Sequence, residues 1–467
     1  MIGKDRFRKF LERWPHPHKP FYERRHLSRR AFLRLAGGGV TASFLPLKLR
    51  AGDVAAWQDV ETKNTARSVI FILLAGAPSH TDTFDFKMVD GVTPASFAPA
   101  VINGIDWPAG LMPRMAERLG DIAVVRSMRS WALQHSGMQT WVQIGRNPSS
   151  ALGAVAPHLG SIVAIEKEPE RQASQAFPGF LALNASQTVG AGYLPSAFAP
   201  LKVTADPAGL AQTTHPAAGG AGRFEERYRL LEALDTPLRE NSPIGRPAED
   251  YGVFSQAAKA LMYNPVVEQA FSFREEDSER YGGSGFGNAC LVAKNVLAAR
   301  QGTRFIQITR GGWDHHQDIY NPALNGRLPR MAAELDAGLA GLIDDLKRDG
   351  LFGETLIVMM GEFGRTVGAL STQGGRDHYL QQFCVFAGGG VKGGQVIGAT
   401  DPTGAYTVDP GWSRQREARI EDVEATMYSA LGINWTSIRY DDPFGRGFEY
   451  VPKSKEDVYG PIHELWG

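Results

Sequence analysis

The sequence predicts an α/β protein, a three-layer sandwich built around a mostly parallel central sheet. The first observation is the run 68–74, Ser-Val-Ile-Phe-Ile-Leu-Leu, which is continuously apolar and rich in β-branched residues. Such a run is typical of a strand that is buried on both faces, as in parallel sheets. The second is a helical pattern over 328–351 that leads directly into an apolar run at 355–360. A strand, a helix and a strand in succession form the crossover unit of parallel sheets.

The remaining core elements follow the same patterns. Within the predicted helix 328–351, leucines recur at steps of three and four residues, which places them on one buried face. Further strands are predicted from their apolar character at 121–126, 304–308 and 382–386. These elements account for the sheet and for part of its helical cover.

The middle of the chain differs in character. Residues 167–290 lack strong strand patterns and contain a charged stretch with helical spacing, Arg223 to Glu240. We therefore expect a helical and loop-rich insertion over one end of the sheet. Loops in that position usually supply substrate selectivity.

Polar residues follow three of the predicted strands, where α/β sheets place their chemistry. The candidate metal ligands in these clusters are Asp82 after the first strand, Asp314 and His316 after the 304–308 strand, and Glu362 and His378 after the 355–360 strand. Carboxylates with imidazoles favour zinc, manganese or iron, and calcium is compatible with the carboxylates. One Asp-x-His pair alone is more often a loop hydrogen-bond pair, but three clusters at successive strand ends favour a divalent metal site.

A fourth polar segment precedes a predicted helix at 138–144. It contains His135 and Ser136, which would lie at the helix N-terminus. Such a terminus stabilises anions, so either side chain could meet a phosphate or sulfate group. The alternative is that Ser136 only caps the helix while His135 packs against it.

The N-terminal segment carries an export motif. Arg29-Arg30 lies in the run His-Leu-Ser-Arg-Arg-Ala-Phe-Leu, which has the pattern of a twin-arginine signal. A basic segment precedes it, and the following apolar stretch, 31–47, is shorter than a membrane span of about 20 residues. Cleavage after Ala56 suits signal peptidase because Val54 and Ala56 are small. The alternative is an amphipathic helix with a chance arginine pair.

The signal sets the expected domain organisation and location. Residues 1–56 are predicted to be signal peptide and linker, and residues 57–467 to be one domain, with 167–290 as its insertion or cap. The twin-arginine translocation machinery is the expected export partner, and the expected location is periplasmic or otherwise extracytoplasmic. No later segment is apolar enough for a stable membrane span after processing.

Composition excludes other classes of protein. Fifty basic residues balance fifty acidic ones, so bulk charge gives no case for nucleic-acid binding. Only Cys290 and Cys384 are present, which does not indicate a disulfide framework, although one bridge stays open.

Taken in order, these motifs resemble the alkaline phosphatase superfamily, and specifically its exported sulfatase-like family DUF1501. The resemblance covers residues 68 to about 440. The motifs that carry it are Gly-Ala-Pro-Ser at 76–79 with Asp-Thr-Phe-Asp at 82–85, His135-Ser136 with Gly145-Arg146, Gly-Trp-Asp-His-His at 312–316, Gly-Glu-Phe-Gly-Arg at 361–365, Gly-Arg-Asp-His at 375–378, and the helix beginning near Asp422.

The resemblance implies a parallel-sheet core and a metal-dependent ester hydrolase. It also implies that His135 or Ser136 is the nucleophile. The chain departs from the superfamily pattern after the first strand, where Ala75-Gly76-Ala77 replaces a metal-binding aspartate. Phe363 cannot bind a metal, and no cysteine stands where sulfatases form formylglycine. These departures favour one metal ion and argue against a formylglycine sulfatase.

The leading hypothesis is an exported hydrolase that acts on a phosphate or sulfate ester in a small molecule or polymer. In it, Asp314, His316, Glu362 and His378 hold one ion with help from Asp82. Arg365 neutralises the substrate anion, and His135 or Ser136 is the nucleophile or the base that activates water. The competing hypothesis is a catalytically inactive binding or assembly protein on the same fold.

Overall fold

The computed structural model describes residues 54–56, 58–210, 213, 220–240 and 246–467. The predicted signal motif in residues 1–53 lies outside this part of the chain. The described residues all lie in one compact unit. At its start, Val54–Ala56 pairs antiparallel with Ser437–Arg439, so the segment before the expected cleavage point contributes a short strand to the fold.

An eight-stranded sheet forms the centre of the protein. Its strands are β1 (Ser68–Leu73), β2 (Ile122–Arg129), β3 (Phe180–Leu183), β4 (Leu201–Val203), β5 (Phe305–Thr309), β6 (Thr355–Met360), β7 (Gln381–Gly388) and β8 (Gln395–Ile397). Their spatial order is β8-β2-β7-β6-β1-β5-β3-β4. Only β7 runs antiparallel to its neighbours, β2 and β6, and every other pair in this sheet is parallel. The prediction of a mostly parallel sheet is confirmed.

Helices cover the sheet on both faces. They are α1 (Pro113–Ala116), α2 (His135–Ile144), α3 (Leu159–Lys167), α4 (Gly220–Glu240), α5 (Arg246–Leu261), α6 (Pro265–Phe271), α7 (Glu275–Arg280), α8 (Gly285–Ala298), α9 (Leu328–Arg348) and α10 (Ile420–Ala430). Because side chains alternate along β1, Ile70 and Ile72 pack in one core with α8 and α9. Val69 and Phe71 pack in the other core with α2, α3 and α10. The structure is therefore the three-layer sandwich that the continuous apolar strands predict.

The segment 167–290 differs from its prediction. It contains helices, but it also contributes β3 and β4 to one edge of the central sheet. The expected insertion or cap at 167–290 therefore does not include β3 and β4, which belong to the central sheet. The sequence pattern missed β3 because Phe-Leu-Ala-Leu is short and rich in residues that also favour helices.

The register of the sheet brings several strand ends to one edge. Leu73 at the end of β1 pairs with Thr309 of β5 and with Met360 of β6, so these three parallel strands end together. The antiparallel β7 begins where β2 ends, because Gln381 pairs with Arg129. Residues that follow β1, β2, β5 and β6 and residues that precede β7 therefore lie at the same edge.

Short elements complete the described fold. Small strands lie at Pro99–Ile102, Ile105–Pro108, Gly364–Arg365, His378–Tyr379, Ala399–Thr400, Thr407–Asp409 and Phe448–Glu449. Single 3-10 turns lie at His80–Asp82, Ala95–Phe97, Leu119–Asp121, Gly153–Val155, Glu168–Glu170, Ser196–Phe198, Phe352–Glu354, Ser454–Glu456 and His463–Trp466. Within the described ranges, no helix combines the length and apolarity needed to cross a membrane.

Candidate metal centre

Four side chains with metal-binding atoms meet at the common strand edge: His135, Asp314, His316 and His378. His135 is the first residue of α2, and His378 lies just before β7. Asp314 and His316 follow β5 in a segment whose alternate residues turn inward, since Trp313 and His315 are buried. One ligand atom from each of the four lies within 4.8 Å of the others. Three of the four, Asp314, His316 and His378, belong to the ligand set that the sequence predicts.

The distances among these atoms are too short for four unconnected groups. His378 Nε2 lies 2.9 Å from His135 Nε2 and 3.0 Å from His316 Nε2. Asp314 Oδ1 lies 3.3 Å from His135 Nε2, 2.9 Å from His316 Nε2 and 3.6 Å from His378 Nε2. Ligands about 2.0–2.1 Å from one zinc ion are separated by about 3.3 Å at tetrahedral angles and about 2.9 Å at right angles. The four atoms therefore have the spacing of ligands to one ion.

The opposite ring nitrogens show which atoms carry protons. His135 Nδ1 lies 2.7 Å from Glu362 Oε1. His316 Nδ1 lies 2.9 Å from Asp377 Oδ1, and His378 Nδ1 lies 2.8 Å from the Leu133 carbonyl oxygen. Carboxylates and carbonyls only accept hydrogen bonds, so each Nδ1 is the donor. In neutral imidazoles this leaves three Nε2 lone pairs, which face one another and Asp314 Oδ1, and a cation satisfies all four.

Charges around the cluster shift the pKa of its members in different directions. Burial lowers the pKa of His378, which favours its neutral, metal-binding form. The hydrogen bond from His135 to Glu362 outweighs burial and raises the pKa of His135. Partial burial alone would raise the pKa of Asp314, but the hydrogen bond and charge of Arg365 lower it. Asp314 is therefore held as a carboxylate, while a proton competes with a metal ion more strongly at His135 than at His378.

Glu362 orients His135 and is not a member of the group of four. Its side chain is fully buried, and Oε1 accepts hydrogen bonds from the Gly76 amide at 2.9 Å and from Gln139 Nε2 at 2.9 Å. With His135 Nδ1 as a third donor, Oε1 accepts three hydrogen bonds. Glu362 therefore lies behind His135 and is not one of the four convergent groups, although the sequence analysis expects it to be a ligand.

Arg365 is also buried and has its donors filled. Its Nε donates to the Ala77 carbonyl at 2.8 Å, and its Nη1 donates to the Arg376 carbonyl at 3.1 Å and to His316 Nε2 at 3.4 Å. Its Nη2 donates to the Gly76 carbonyl and, at 2.6 Å, to Asp314 Oδ1. The side chain has no exposed surface. These contacts position Asp314 and the loop after β1, and leave no donor free for the substrate contact that the sequence analysis expects.

Asp82 lies in a separate buried ion pair. Arg376 Nε donates to Asp82 Oδ2 at 2.7 Å, and the Tyr320 hydroxyl donates to Asp82 Oδ1 at 2.7 Å. Both charged side chains are completely buried. The carboxylate is therefore committed to Arg376 and Tyr320, and Asp82 is not in the group of four that the described residues form.

The start of α2 separates the two residues between which the sequence left the nucleophile open. His135 faces the other three ligand atoms, whereas Ser136 is exposed and its Oγ accepts a hydrogen bond from Gln134 Nε2. The helix is capped by Gln134, whose side chain accepts from the Gly137 amide. The alternative in which Ser136 caps the helix is therefore wrong.

The sequence analysis missed one of the four convergent residues and the groups that orient the histidines. It did not identify His135 as a ligand candidate, and it did not identify the partners Asp377 and the Leu133 carbonyl; the position of Asp377 next to His378 is the only signal. It also missed why Gly76 replaces an acidic residue. Gly76 has φ +106°, and a Cβ atom there would lie 2.7 Å from the backbone nitrogens of Trp313 and Asp314. Only glycine allows the loop after β1 to approach the Asp314 segment so closely.

The chain is similar to several solved structures at low sequence identity. It is similar to the PsFucS1 sulfatase from Pseudoalteromonas sp., at 12% identity and a TM-score of 0.38, over 79% of this chain and 68% of that one. It is similar to an alkaline phosphatase superfamily protein from Vibrio parahaemolyticus, at 10% identity and a TM-score of 0.37, over 84% and 72%. It is also similar to a phosphonate monoester hydrolase from Silicibacter pomeroyi, at 12% identity and a TM-score of 0.38, over 78% and 73%. No curated protein matches it in sequence.

A family model described as "Protein of unknown function (DUF1501)" matches residues 66–458, which include all four residues of the cluster. The match spans the central sheet from β1 to β8 and α10 as well. The chain belongs to the DUF1501 family.

Proposed function

We propose that this protein binds one divalent transition-metal ion through His135, Asp314, His316 and His378 and hydrolyses a phosphate or sulfate ester outside the cytoplasm. The observation that carries the proposal is the convergence of three imidazole Nε2 atoms on Asp314 Oδ1 while each Nδ1 donates to a fixed acceptor. Polar groups in this arrangement repel one another unless a cation lies between them.

The donor set selects the class of ion. Three imidazole nitrogens and one carboxylate oxygen suit zinc, manganese or iron. Calcium and magnesium prefer sites built from oxygen ligands, so we expect them to bind weakly here. The carboxylate and carbonyl groups behind the imidazoles fix the ring orientations, which makes the site preorganised for binding.

The cluster is open to solvent on one side. The side chains of Asp314 and His316 are 45% and 40% exposed, whereas Glu362 and Arg365 beneath them are fully buried. A bound ion supplies Lewis-acid stabilisation of charge on a phosphoryl or sulfuryl oxygen. The exposed side admits the substrate, and the buried side holds the ligands in place.

Other residues of the chain supply the nucleophile, bind the anion and fix the ligands. In this proposal His135 is a ligand, so Ser136 or a water molecule is the nucleophile. Ser136 is the second residue of the ten-residue helix α2, where backbone N–H groups stabilise an incoming anion. Arg365 holds Asp314 as a carboxylate and adds a fixed positive charge beside the cluster. That charge disfavours a second metal ion next to the first.

The location outside the cytoplasm rests on the twin-arginine motif at Arg29-Arg30. A folded protein moved by that route can take up its ion before export. The substrate is expected to be a phosphate or sulfate ester of a small molecule or a polymer.

Metal content is the decisive experiment. The full chain is stripped with a chelator, reloaded separately with zinc, manganese and iron(II), and its bound metal is measured by elemental analysis. We expect about one ion per chain. Asp314→Ala and His378→Ala should each lose it, whereas the control His463→Ala, an exposed histidine near the C-terminus, should keep it.

Activity assays on the loaded protein address the chemistry. Phosphate monoesters, phosphate diesters and sulfate esters are tested with wild type, His378→Ala and Ser136→Ala. If wild type hydrolyses an ester and His378→Ala does not, the proposal is supported. If Ser136→Ala still hydrolyses that ester, the nucleophile is water. One tightly bound ion without hydrolysis of any ester class supports instead an inactive binding protein. Absence of bound metal overturns the proposal.

A further inference from the structure

The segment between β2 and α2 presents two large apolar side chains to solvent close to the metal centre. Trp131 is 40% exposed and Leu133 is 41% exposed. They lie four and two residues before His135, and the carbonyl of Leu133 accepts the hydrogen bond from His378 Nδ1 at 2.8 Å. We call this pair of side chains the 131/133 wall.

The exposed indole is held by a buried acid. Trp131 Nε1 donates to Glu421 Oε1 at 3.0 Å and to Oε2 at 3.1 Å. Trp141 Nε1 donates to the same Oε1 at 3.0 Å, so Glu421 joins the segment before α2 to α2 itself. The Glu421 side chain is only 3% exposed. Burial of a carboxylate costs free energy, and here the two indole donors offset part of that cost.

A second residue at the start of α10 fixes the same segment. Arg419 Nη1 donates to the Arg129 carbonyl at 3.1 Å and to the Ser130 carbonyl at 2.8 Å. The Arg419 guanidinium carbon also lies 4.2 Å from the centre of the Trp131 ring, which is a cation–π distance. Trp131 is therefore restrained through its backbone, its N–H group and its ring while part of its surface stays open.

The wall is continuous with the metal centre. Ser130 Oγ donates to the Glu362 carbonyl at 2.8 Å. Trp141, which stacks on Trp131 with ring centres 5.9 Å apart, packs against the cluster that contains Phe363. The Phe363 ring centre lies 4.8 Å from that of His135 and 4.7 Å from that of His378.

A rigid, partly exposed indole loses little conformational freedom when a ligand covers it, and its apolar surface gains free energy from that burial. We propose that the 131/133 wall contacts the organic half of the substrate, so that the centre prefers esters with a bulky apolar or aromatic alcohol over esters of small alcohols. Arg419 and Glu421 act as positioning residues for this wall. The inference rests on the proposed function, because it assumes that the ester anion binds at the metal centre.

Binding of matched unreactive analogues tests the inference without turnover. The zinc-loaded full chain is titrated calorimetrically with methylphosphonate and 2-phenylethylphosphonate, and with methanesulfonate and 2-phenylethanesulfonate. Wild type should bind the phenylethyl member of at least one pair about tenfold or more tightly than the methyl member. Trp131→Ala and Leu133→Ala should each reduce the ratio of phenylethyl to methyl affinity several-fold. Their affinity for the methyl member should stay within about twofold of the wild-type value.

The control is Phe444→Ala, which removes an exposed aromatic side chain near Arg446 that has no contact with the centre among the described contacts. It should retain the wild-type ratio. Equal affinity of wild type for both members of each pair, or equal losses for both members in Trp131→Ala, would overturn the inference, as would lack of binding by all four analogues. If the protein binds no metal, the elemental analysis already shows it, and the proposed function is then wrong. If metal binds but the phenylethyl analogues gain no affinity, only the inference about the 131/133 wall is wrong.

Discussion

Glu362 Oε1 lies 2.7 Å from His135 Nδ1, and this contact joins a fully buried carboxylate to an imidazole that faces three other metal-binding side chains. The Gly76 amide and Gln139 hold the same carboxylate from other directions. The orientation of His135 therefore depends on a residue that does not itself join the cluster.

Replacement of Glu362 by Gln should weaken metal binding about 10- to 100-fold, because loss of the charge makes His135 a poorer ligand and loosens its ring. The measurement is a competition titration of the stripped chain against a chromophoric chelator. Glu417→Gln, at a half-buried surface acid, is the matched control and should bind like wild type. Unchanged affinity in Glu362→Gln would show that the carboxylate does not support the ligand.

Asp82→Asn should destabilise the fold without emptying the metal site. Asp82 and Arg376 form a completely buried pair, and loss of one charge leaves the other without compensation, at a cost of about 3–5 kcal/mol in the free energy of unfolding. Denaturant unfolding measures the cost, and elemental analysis of the folded fraction measures the metal. A folded Asp82→Asn protein that lacks metal would restore Asp82 as a ligand.

Gly76→Ala should weaken both the fold and the metal site. The added methyl group would lie 2.7 Å from the backbone nitrogens of Trp313 and Asp314, and the residue would keep an unfavourable φ of +106°. We expect a lower melting temperature and metal affinity reduced at least tenfold, since the Asp314 segment must shift. Gly91→Ala is the control, because Gly91 has a positive φ of +74° but open space around it. Metal affinity equal to that of Gly91→Ala would argue against close packing of these loops.

Stability should fall as the pH rises toward neutrality, because of Glu421. Burial raises the pKa of Glu421 from 4.5 to about 7, against the opposing effect of the indole hydrogen bonds. The folded protein therefore holds a proton that the unfolded chain releases between these values, and the associated stability is present below pH 4.5 and lost as the pH rises through about 7. The loss at pH 8 is of the order of 3 kcal/mol.

Glu421→Gln isolates this effect, since glutamine does not titrate. The difference in free energy of unfolding between wild type and variant should change by about 2–3 kcal/mol between pH 5 and pH 8, in favour of the variant at the higher pH. Chemical denaturation at several pH values measures it. A difference that stays constant with pH would mean that Glu421 is ionised throughout.

The sequence by itself determined the architecture and the edge at which the polar residues gather. A continuously apolar strand removes its side chains from water only if both faces of the sheet are covered. The strands at 68–73 and 355–360 are therefore expected inside a covered sheet. Parallel strands end together, which places Asp314 and Glu362 at one edge without further information. By contrast, the short strands Phe180–Leu183 and Leu201–Val203 have no pattern long enough to distinguish them from helix or loop.

Only the tertiary structure decided which of the gathered residues face one another. Asp82 and Glu362 carry the same functional group as Asp314. However, Arg376 pairs with Asp82, and His135 donates a hydrogen bond to Glu362, and both contacts join residues far apart in sequence. The antiparallel direction of β7 brings His378 to the edge where parallel strands end. The position of a residue after a parallel strand fixes the edge at which it lies, whereas the role of its side chain depends on long-range partners that the strand pattern does not encode.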